Sequence, residues 1–172
     1  MTQQTLINRV EQSGIITLNL ADHFPKEIIE SLDLRQFLVQ DQVLMEKPYR
    51  EALKSFDWSR FTGKIAAIHC SKDTLIPMWA YMLAASCLLP HAKRVLCATP
   101  EEAELQLLLE NIQQMDASYF SGTRVVIKGC GHKPIPPQAY VAITAKLQPV
   151  VQSLMYGEPC SAVPVYKKPK SS

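Results

Sequence analysis

The sequence lacks any apolar run long enough to cross a membrane. Its longest such run, from Met78 to Leu89, covers 12 residues, whereas a membrane-spanning helix needs about 20. Because Pro77 and Pro90 bracket this run, we predict a buried helix there instead of a membrane span. The first residues also lack a basic segment followed by an apolar one, so no cleaved secretory signal is expected. These absences predict a cytoplasmic protein that does not associate with membranes.

An excess of charge of one sign is also absent. The 172 residues include 18 Lys and Arg against 16 Asp and Glu, which leaves a formal net charge of +2. So small a charge does not create the long-range field that attracts nucleic acid, and no nucleic-acid partner is expected. The sequence has no phosphate loop, dinucleotide-binding glycine fingerprint, serine-hydrolase elbow or His-Glu-x-x-His motif. Nucleotide binding and serine hydrolysis therefore lose most of their support.

The composition and the order of the predicted elements favour an α/β fold. Hydrophobic residues make up 47% of the chain and charged residues 20%, as in globular domains. Short β-prone runs occur at 64–69, 94–98 and 124–127, and segments of helical length separate them. This alternation is typical of a parallel sheet. We predict a single α/β domain whose mixed sheet has a parallel β-α-β-α-β core and flanking helices.

The predicted domain covers residues 1–172 and has three parts. Residues 1–60 form an irregular N-terminal part with a short helix over 25–32 and a strand over 37–45. Residues 61–156 form the core, in which Thr99 and Glu102 make a capping box at the start of one helix. A last helix begins at Pro136 and Pro137 and continues to residue 154. Residues 157–172 form an extended tail.

Two segments of the core have the same order of parts. Each contains a Phe, a Gly, a strand, a cysteine loop and an Ile-Pro pair, at residues 61–77 and 120–136, and each spans 16 positions from Phe to Pro. Two generic strand-to-helix connections would also resemble each other by chance, so a true repeat is only one of the explanations. In both cases a cysteine, Cys70 or Cys130, comes just after the strand.

These cysteines indicate where a site would lie. Ligands of parallel sheets bind beyond the carboxyl ends of the strands. If the 94–98 strand lies outside the other two, the strands over 64–69 and 124–127 are neighbours about 5 Å apart. Cys70 and Cys130 would then face one crevice, and Cys160 would join them if the last helix packs suitably.

Three thiolates at one edge would suit a soft metal. Tetrahedral thiolate sites hold zinc or iron–sulfur clusters, and His132 or Asp73 would supply a fourth ligand. The predicted ligands are therefore Cys70, Cys130, Cys160, His132 and Asp73. The odd number of cysteines, 5, fits a reducing compartment better than a disulfide framework. The remaining two, Cys87 and Cys97, are expected to pack as small apolar residues, and the cluster of Trp79, Tyr81 and Met82 is expected in the core.

Three functions are compatible with these features. The first is an accessory protein that binds zinc or an iron–sulfur species through cysteine thiolates. The second is a thiol enzyme with Cys70 or Cys130 as the nucleophile, activated by a helix N-terminus and by His132 or Asp73. The third is a non-catalytic adaptor whose cysteines only pack.

Several segments of the chain resemble one bacterial family. They are Asp57-Trp-Ser, Ile68-His-Cys-Ser-Lys-Asp, Ile76-Pro-Met-Trp-Ala, Lys128-Gly-Cys-Gly, Ala139-Tyr and Gly157-Glu-Pro-Cys-Ser-Ala-Val-Pro. In these segments the chain is similar to the domain of unknown function family DUF2480. The resemblance implies a compact single-domain protein whose genes lie near iron–sulfur assembly genes, and hence protein partners in that process. It assigns no catalytic residues.

Overall fold

The computed structural model describes residues 9–10, 14–129, 133–158 and 161–169. In chain order the elements are β1 (Arg9–Val10), β2 (Ile15–Asn19), β3 (Ile29–Asp33), α1 (Glu46–Lys54), β4 (Ile65–His69), α2 (Met78–Leu88), β5 (Arg94–Cys97), α3 (Pro100–Gln114), β6 (Arg124–Lys128), α4 (Pro137–Leu147), β7 (Ser153–Tyr156) and β8 (Val163–Lys167). The predicted α/β class is confirmed. No helix in this described part of the chain is both long and apolar enough to cross a membrane.

The chain divides into two compact units, each with its own sheet. The central unit is Pro25–Gln106, and the terminal unit combines Met1–Phe24 with Leu107–Ser172. The central sheet has the order β3-β4-β5, and all of its strands are parallel. The terminal sheet has the order β1-β2-β6-β7-β8, in which β2, β6 and β7 are parallel and the two outer strands are antiparallel. Both units therefore contain a trio of parallel strands.

This arrangement corrects one expectation about the sheet. The strands over 64–69 and 124–127 were expected to lie side by side, and this is wrong, because β4 and β6 belong to different sheets. Each is the middle strand of its own trio. Both are buried on their two faces, as continuous apolar strands of parallel sheets usually are. The expectation assumed that the 94–98 strand lies outside the other two, and β5 does lie at an edge of its sheet, but β6 belongs to the other sheet.

The two segments that resemble each other in sequence also have the same order of elements in the structure. Each element of the second copy lies 59 residues after its counterpart, since β6 follows β4 (124 − 65), α4 follows α2 (137 − 78) and β7 follows β5 (153 − 94). The backbone amide of Gly63 donates a hydrogen bond to the His91 carbonyl. The amide of Gly122 donates one to the Val150 carbonyl, and both partners again lie 59 positions later in the chain. Both glycines have a left-handed backbone, with φ of 71° and 69°. The two units thus share one local design, a β-α-β segment completed by a strand from the N-terminal region.

Each unit has its own hydrophobic core. In the central unit, α1 and α2 cover one face of the sheet with Tyr49, Leu53, Ala80, Ala84 and Leu88. In the terminal unit, buried residues of α3 and α4 pack on the strands, among them Leu108, Ile112, Ile143 and Leu147. The prediction of a buried helix at 78–89 is right for one face of α2 and wrong for the other. Met82 was expected in the core but is 72% exposed.

Three other expectations about secondary structure are also wrong. Residues 25–32 do not form a helix, because Ile29–Asp33 is the strand β3. Residues 37–45 contain a turn instead of a strand, in which Gln40 and Asp41 have positive φ angles. The last helix ends at Leu147, two residues before Pro149, and β7 follows. The tail is extended as predicted, but its residues Val163–Lys167 pair with β7 as an edge strand.

Candidate functional site

The carboxyl edge of the terminal sheet is where the cysteine segments of that unit begin. The strands β2, β6 and β7 run parallel, with Asn19 paired to Lys128 and Ile127 paired to Tyr156. All three therefore end at the same edge, where ligands of parallel sheets bind. Cys130 comes two residues after the end of β6, and Cys160 comes four residues after the end of β7.

Contacts join the chain after β6 to the chain after β7. The Lys128 ammonium lies 2.8 Å from a carboxylate oxygen of Glu158. The backbone amide of Gly157 donates to the carbonyl of Ile127 at 3.0 Å. Gly157 has φ of 119°, a conformation that side chains disfavour, and this lets the chain turn at the strand end. The amide of Ser161 then donates back to the Glu158 carbonyl at 2.9 Å.

A tyrosine of α4 lies directly against Gly129. A Cβ atom at Gly129 would be only 1.8 Å from the Tyr140 hydroxyl oxygen, so only glycine fits here beside the ring as it is placed. Tyr140 is half-buried, and its ring meets that of Tyr156 edge to face with centroids 5.6 Å apart. The last described residue before Cys130 thus lies against the Tyr140 side chain, which in turn packs on Tyr156.

The end of β2 contributes a histidine that the sequence patterns did not single out. His23 ends a short 3-10 turn, Leu20–His23, which Asn19 caps by accepting the amide of Ala21. The backbone carbonyl of His23 accepts a hydrogen bond from the side-chain amide of Asn111 at 2.9 Å. Burial lowers the pKa of the His23 imidazole, and the nearby charge of Asp22 only partly opposes this. A neutral imidazole is the form that binds metals.

Three of the predicted ligands, Cys130, His132 and Cys160, lie outside the described residues. Each of them is next in the chain to a residue that the structure describes. Gly129 precedes Cys130, Lys133 follows His132, and Ser161 follows Cys160. The Lys133 ammonium lies 5.0 Å from the centre of the Phe24 ring, next to His23 in the chain. Gly129 lies against the Tyr140 side chain and Lys133 lies over the Phe24 ring, so both of these described residues contact aromatic side chains of the terminal unit.

The other two predicted ligands, Cys70 and Asp73, belong to the central unit. Cys70 is half-buried just after β4, and Asp73 is exposed. The expectation that Cys70 and Cys130 face one crevice rested on neighbouring strands. That basis is wrong, because β4 pairs with β3 and β5 while β6 pairs with β2 and β7. Within residues 9–10, 14–129, 133–158 and 161–169, no group of three or more His, Cys, Asp or Glu side chains could hold a metal ion.

Polar groups near Cys70 are engaged with one another. The Ser31 hydroxyl and His69 Nε2 are 2.8 Å apart. Asp33 accepts the amides of Ser71 and Arg35 at 3.0 and 2.9 Å. Burial raises the pKa of the Asp33 carboxyl, but the bonds from Ser71 and Arg35 and the charge of His69 outweigh it, so the pKa is lowered overall. These contacts tie the loops after β3 and β4 together and have a structural role.

The two cysteines expected to pack behave differently. Cys87 is half-buried on α2 against the central core, and burial raises the pKa of its thiol, as for a packed residue. Cys97 is exposed at the end of β5, so the expectation that it packs is wrong. Its neighbourhood includes Tyr81, whose pKa is raised by burial and then by the charges of Cys97 and Cys70.

Comparison with known proteins gives a family but no activity. Searches of curated proteins and of solved structures found no match. Residues 4–168 match a family described as a protein of unknown function, DUF2480. This match covers nearly all of the chain, and the chain belongs to the DUF2480 family.

Proposed function

We propose that the protein binds zinc or an iron–sulfur species through cysteine thiolates at the carboxyl edge of the terminal sheet. The ligands in this proposal are Cys130, His132 and Cys160. The observation that carries it is the contact between the two strand ends, where the Lys128–Glu158 ion pair and the Gly157–Ile127 hydrogen bond bring the chain after β6 beside the chain after β7. The two cysteine segments begin from this one place.

Chain connectivity limits how far these ligands lie from the edge. Consecutive Cα atoms are about 3.8 Å apart, so Cys130 stays close to Gly129 and Cys160 close to Ser161. Gly129 is fixed by Tyr140, and Ser161 by its bond to Glu158. Two thiolates and one imidazole are a typical ligand set for zinc and leave a fourth position for another ligand. His23, neutral and at the neighbouring strand end, is the described side chain best suited to fill it.

Cys70 and Asp73 are left out of this ligand set. They follow β4 in the other sheet, and the neighbouring-strand argument that linked them to Cys130 no longer applies. We place the protein in the cytoplasm, where thiols stay reduced. As its partners we propose proteins of iron–sulfur cluster assembly. Both statements are part of the proposal and rest on the sequence and the family resemblance.

Metal analysis of cysteine variants tests the proposal. The full chain is purified without oxygen, and bound metal per chain is measured for the wild type and for Cys→Ser variants at 70, 87, 130 and 160. We expect bound metal in the wild type and its loss in Cys130→Ser and Cys160→Ser, because each removes a thiolate ligand. Cys87→Ser is the matched control and should keep its metal.

Two results would contradict this assignment. A wild-type chain without metal under anaerobic conditions would rule out the proposed function. Metal that survives in the variants at 130 and 160 but is lost in Cys70→Ser would move the site to the central unit. Alkylation of the thiols separates the thiol-enzyme alternative, since metal-bound thiolates stay protected until a chelator is added.

A further inference from the structure

Two thiols of the central unit lie on the same face of its sheet, at the carboxyl edge. Cys97 is the last residue of β5, and its Cα is paired with that of Ile68 in β4. Cys70 comes two residues after Ile68, and its half-buried side chain packs against the central core, as α2 does. Side chains two positions apart along a strand share a face. Cys97, two positions after the core-packing Val95, therefore lies on the face of Cys70.

The pairing of the two strands sets the distance between these residues. The amide of Ala98 donates to the Ile68 carbonyl at 3.0 Å, so β4 and β5 stay paired up to this point. Neighbouring strands are about 4.8 Å apart and rise about 3.3 Å per residue, which places the Cα atoms of Cys70 and Cys97 about 8 Å apart if the chain continues in the direction of β4. Both thiols are free. A disulfide needs Cα atoms closer than about 7 Å, so the two residues are neighbours without being a ready disulfide pair.

The equivalent segment of the terminal unit shows that these positions meet beside a tyrosine. The pairing of β4 with β5 recurs residue for residue, 59 positions later, in β6 with β7. The residues 59 positions after Cys70, Tyr81 and Cys97 are Gly129, Tyr140 and Tyr156. In the terminal unit Tyr140 lies against Gly129, and its ring meets that of Tyr156 edge to face. The same three places in the central unit are therefore side by side.

The central unit keeps the tyrosine and has a thiol on each side of it. Tyr81 packs against the central core from α2. Burial raises the pKa of its phenol, and the charges of Cys97 and then Cys70 raise it further, as expected for a hydroxyl near both sulfurs. A Cβ atom at Gly129 would clash with the hydroxyl of Tyr140, so beside Cys70 the tyrosine lies differently. The small side chain of Cys97 leaves space for this where the terminal unit has a second aromatic ring.

The number and type of ligands indicate which ion this pair of thiols suits. Thiolates are soft ligands, which select Cu(I), zinc and iron–sulfur clusters. Zinc and iron–sulfur sites are normally closed by four ligands. In the parts of the chain that the structure describes, no third His, Cys, Asp or Glu completes a site with these two thiols. Cu(I) needs only two thiolates. With bonds of about 2.3 Å, as for zinc and sulfur, one ion spans up to about 4.6 Å between two sulfurs, and the side chains cover the rest.

We propose that Cys70 and Cys97 form a second thiolate site, which binds one Cu(I) ion at the carboxyl edge of the central sheet. Cys97 is exposed at the end of an edge strand, so the ion reaches the site from solvent, and the half-buried Cys70 closes it from the side of the core. This site does not depend on the one proposed for the terminal sheet. Its ligands follow strands of the other sheet, and its ion is a different one.

Competition for Cu(I) without oxygen tests the site. Cys130 and Cys160 also offer thiolates, so the starting protein is the full chain with both replaced by serine. We expect this protein to take one Cu(I) from the chelator bicinchoninate, and we expect Cys70→Ser or Cys97→Ser in this background to lose it, because each removes one of two ligands. Cys87→Ser is the matched control and should keep the ion, since Cys87 lies near the other end of α2. Circular dichroism checks that all variants are folded.

Bridging by a trivalent arsenical gives a second readout on the unaltered chain. Phenylarsine oxide condenses with two neighbouring thiols, forming two As–S bonds and releasing one water, and the arsenic stays trivalent. Mass spectrometry should find the peptides containing Cys70 and Cys97 joined through one arsenic, and prior loading with Cu(I) should prevent this.

Three results would overturn the proposal. They are a starting protein that takes no Cu(I), Cu(I) uptake that survives the loss of Cys70 or Cys97, and an arsenical that does not join these two residues. None of them bears on the terminal site, which is tested by zinc or iron content and by Cys130→Ser and Cys160→Ser.

Discussion

Replacing Gly129 with alanine should destabilise the terminal unit by forcing Tyr140 out of its place. The added Cβ would lie 1.8 Å from the hydroxyl oxygen of Tyr140 and 3.0 Å from the ring carbon that bears it. Gly129 has no left-handed φ angle, so the expected cost is steric and not conformational. Tyr140 cannot move without disturbing its edge-to-face contact with Tyr156 and its packing on the terminal core.

The size of the effect follows from how firmly Tyr140 is held. Overfilling a packed region costs about 1–3 kcal/mol, and for a chain of this length each kcal/mol lowers the melting temperature by roughly 2–4 °C. The central unit offers an instructive comparison, because its equivalent residues 59 positions earlier are Cys70 and Tyr81. A side chain at this position is therefore compatible with the β-α-β design when the tyrosine lies differently. The loss of stability that Gly129→Ala causes in the terminal unit therefore measures how strongly neighbouring residues hold the Tyr140 side chain in place.

Urea unfolding of five variants measures this cost: Gly129→Ala, Gly122→Ala, Tyr140→Phe, and each glycine variant combined with Tyr140→Phe. Gly129→Ala should lower the transition midpoint, and Tyr140→Phe, which removes the clashing oxygen, should recover part of the loss in the double variant. Gly122→Ala is the control, since its added Cβ meets nothing within 4 Å and its cost of about 1–2 kcal/mol comes only from the positive φ angle. Tyr140→Phe should not relieve that cost. If Gly129→Ala is as stable as the wild type, or if its loss simply adds to that of Tyr140→Phe, the proposed contact does not hold Gly129.

Three further predictions concern stability. Thr99→Ala should lower the free energy of unfolding by about 1 kcal/mol in urea titrations, because it removes the hydrogen bond that the Glu102 backbone amide donates to Thr99 Oγ1. Burial lowers the pKa of His23, so only the unfolded chain gains its proton near pH 6.5. Stability should therefore fall as the pH drops below about 6.5, and His23→Gln should flatten this part of the profile. Hydrogen bonds from Lys64 and Arg60 lower the pKa of Glu30 from its ordinary value of 4.5. Glu30→Gln should cost about 1 kcal/mol or less at pH 7, and the difference from the wild type should shrink as the pH falls below 4.5.

Local features of the fold could be predicted from the sequence. The capping box at Thr99 and Glu102 is present, with both of its hydrogen bonds formed. The helices α2 and α4 begin just after the prolines 77 and 136, as their patterns indicated. The repeat was visible because the turn glycines, strands and helix starts recur at equal spacing. These features depend on neighbours in the chain, and short-range patterns report them well.

Strand pairing could not be predicted in the same way. β4 and β6 are both short apolar strands, and the sequence of neither indicates which strand pairs with it. Their partners β3 and β2 come from the N-terminal region, where the patterns are weak and indicate a helix in place of β3. The missed strand β7 is different, because Pro149 already excluded a helix that continues to residue 154. Its apolar residues Val151 and Leu154 fit a helical spacing as well as a buried strand.

The candidate site was predicted in part for the same reason. The position of a cysteine just after a strand depends only on the local sequence. The prediction is correct for Cys70, which comes just after β4. Which strand ends share an edge is a property of the whole sheet, and the strand before Cys70, β4, does not belong to the sheet of β2, β6 and β7. His23 belongs to that edge through β2. It would have been noticed only if residues 14–20 had been interpreted as a strand of the same sheet.

X-ray absorption at the metal edge tests the central claim most directly, because it counts the sulfur atoms bound to the metal. For a zinc-loaded chain we predict two sulfur scatterers at about 2.3 Å and nitrogen in the remaining shell. Cys160→Ser should reduce the count to one, and Cys87→Ser should leave it at two. A shell of nitrogen and oxygen alone, or a sulfur count that Cys160→Ser does not change, would contradict the thiolate site at the carboxyl edge of the terminal sheet.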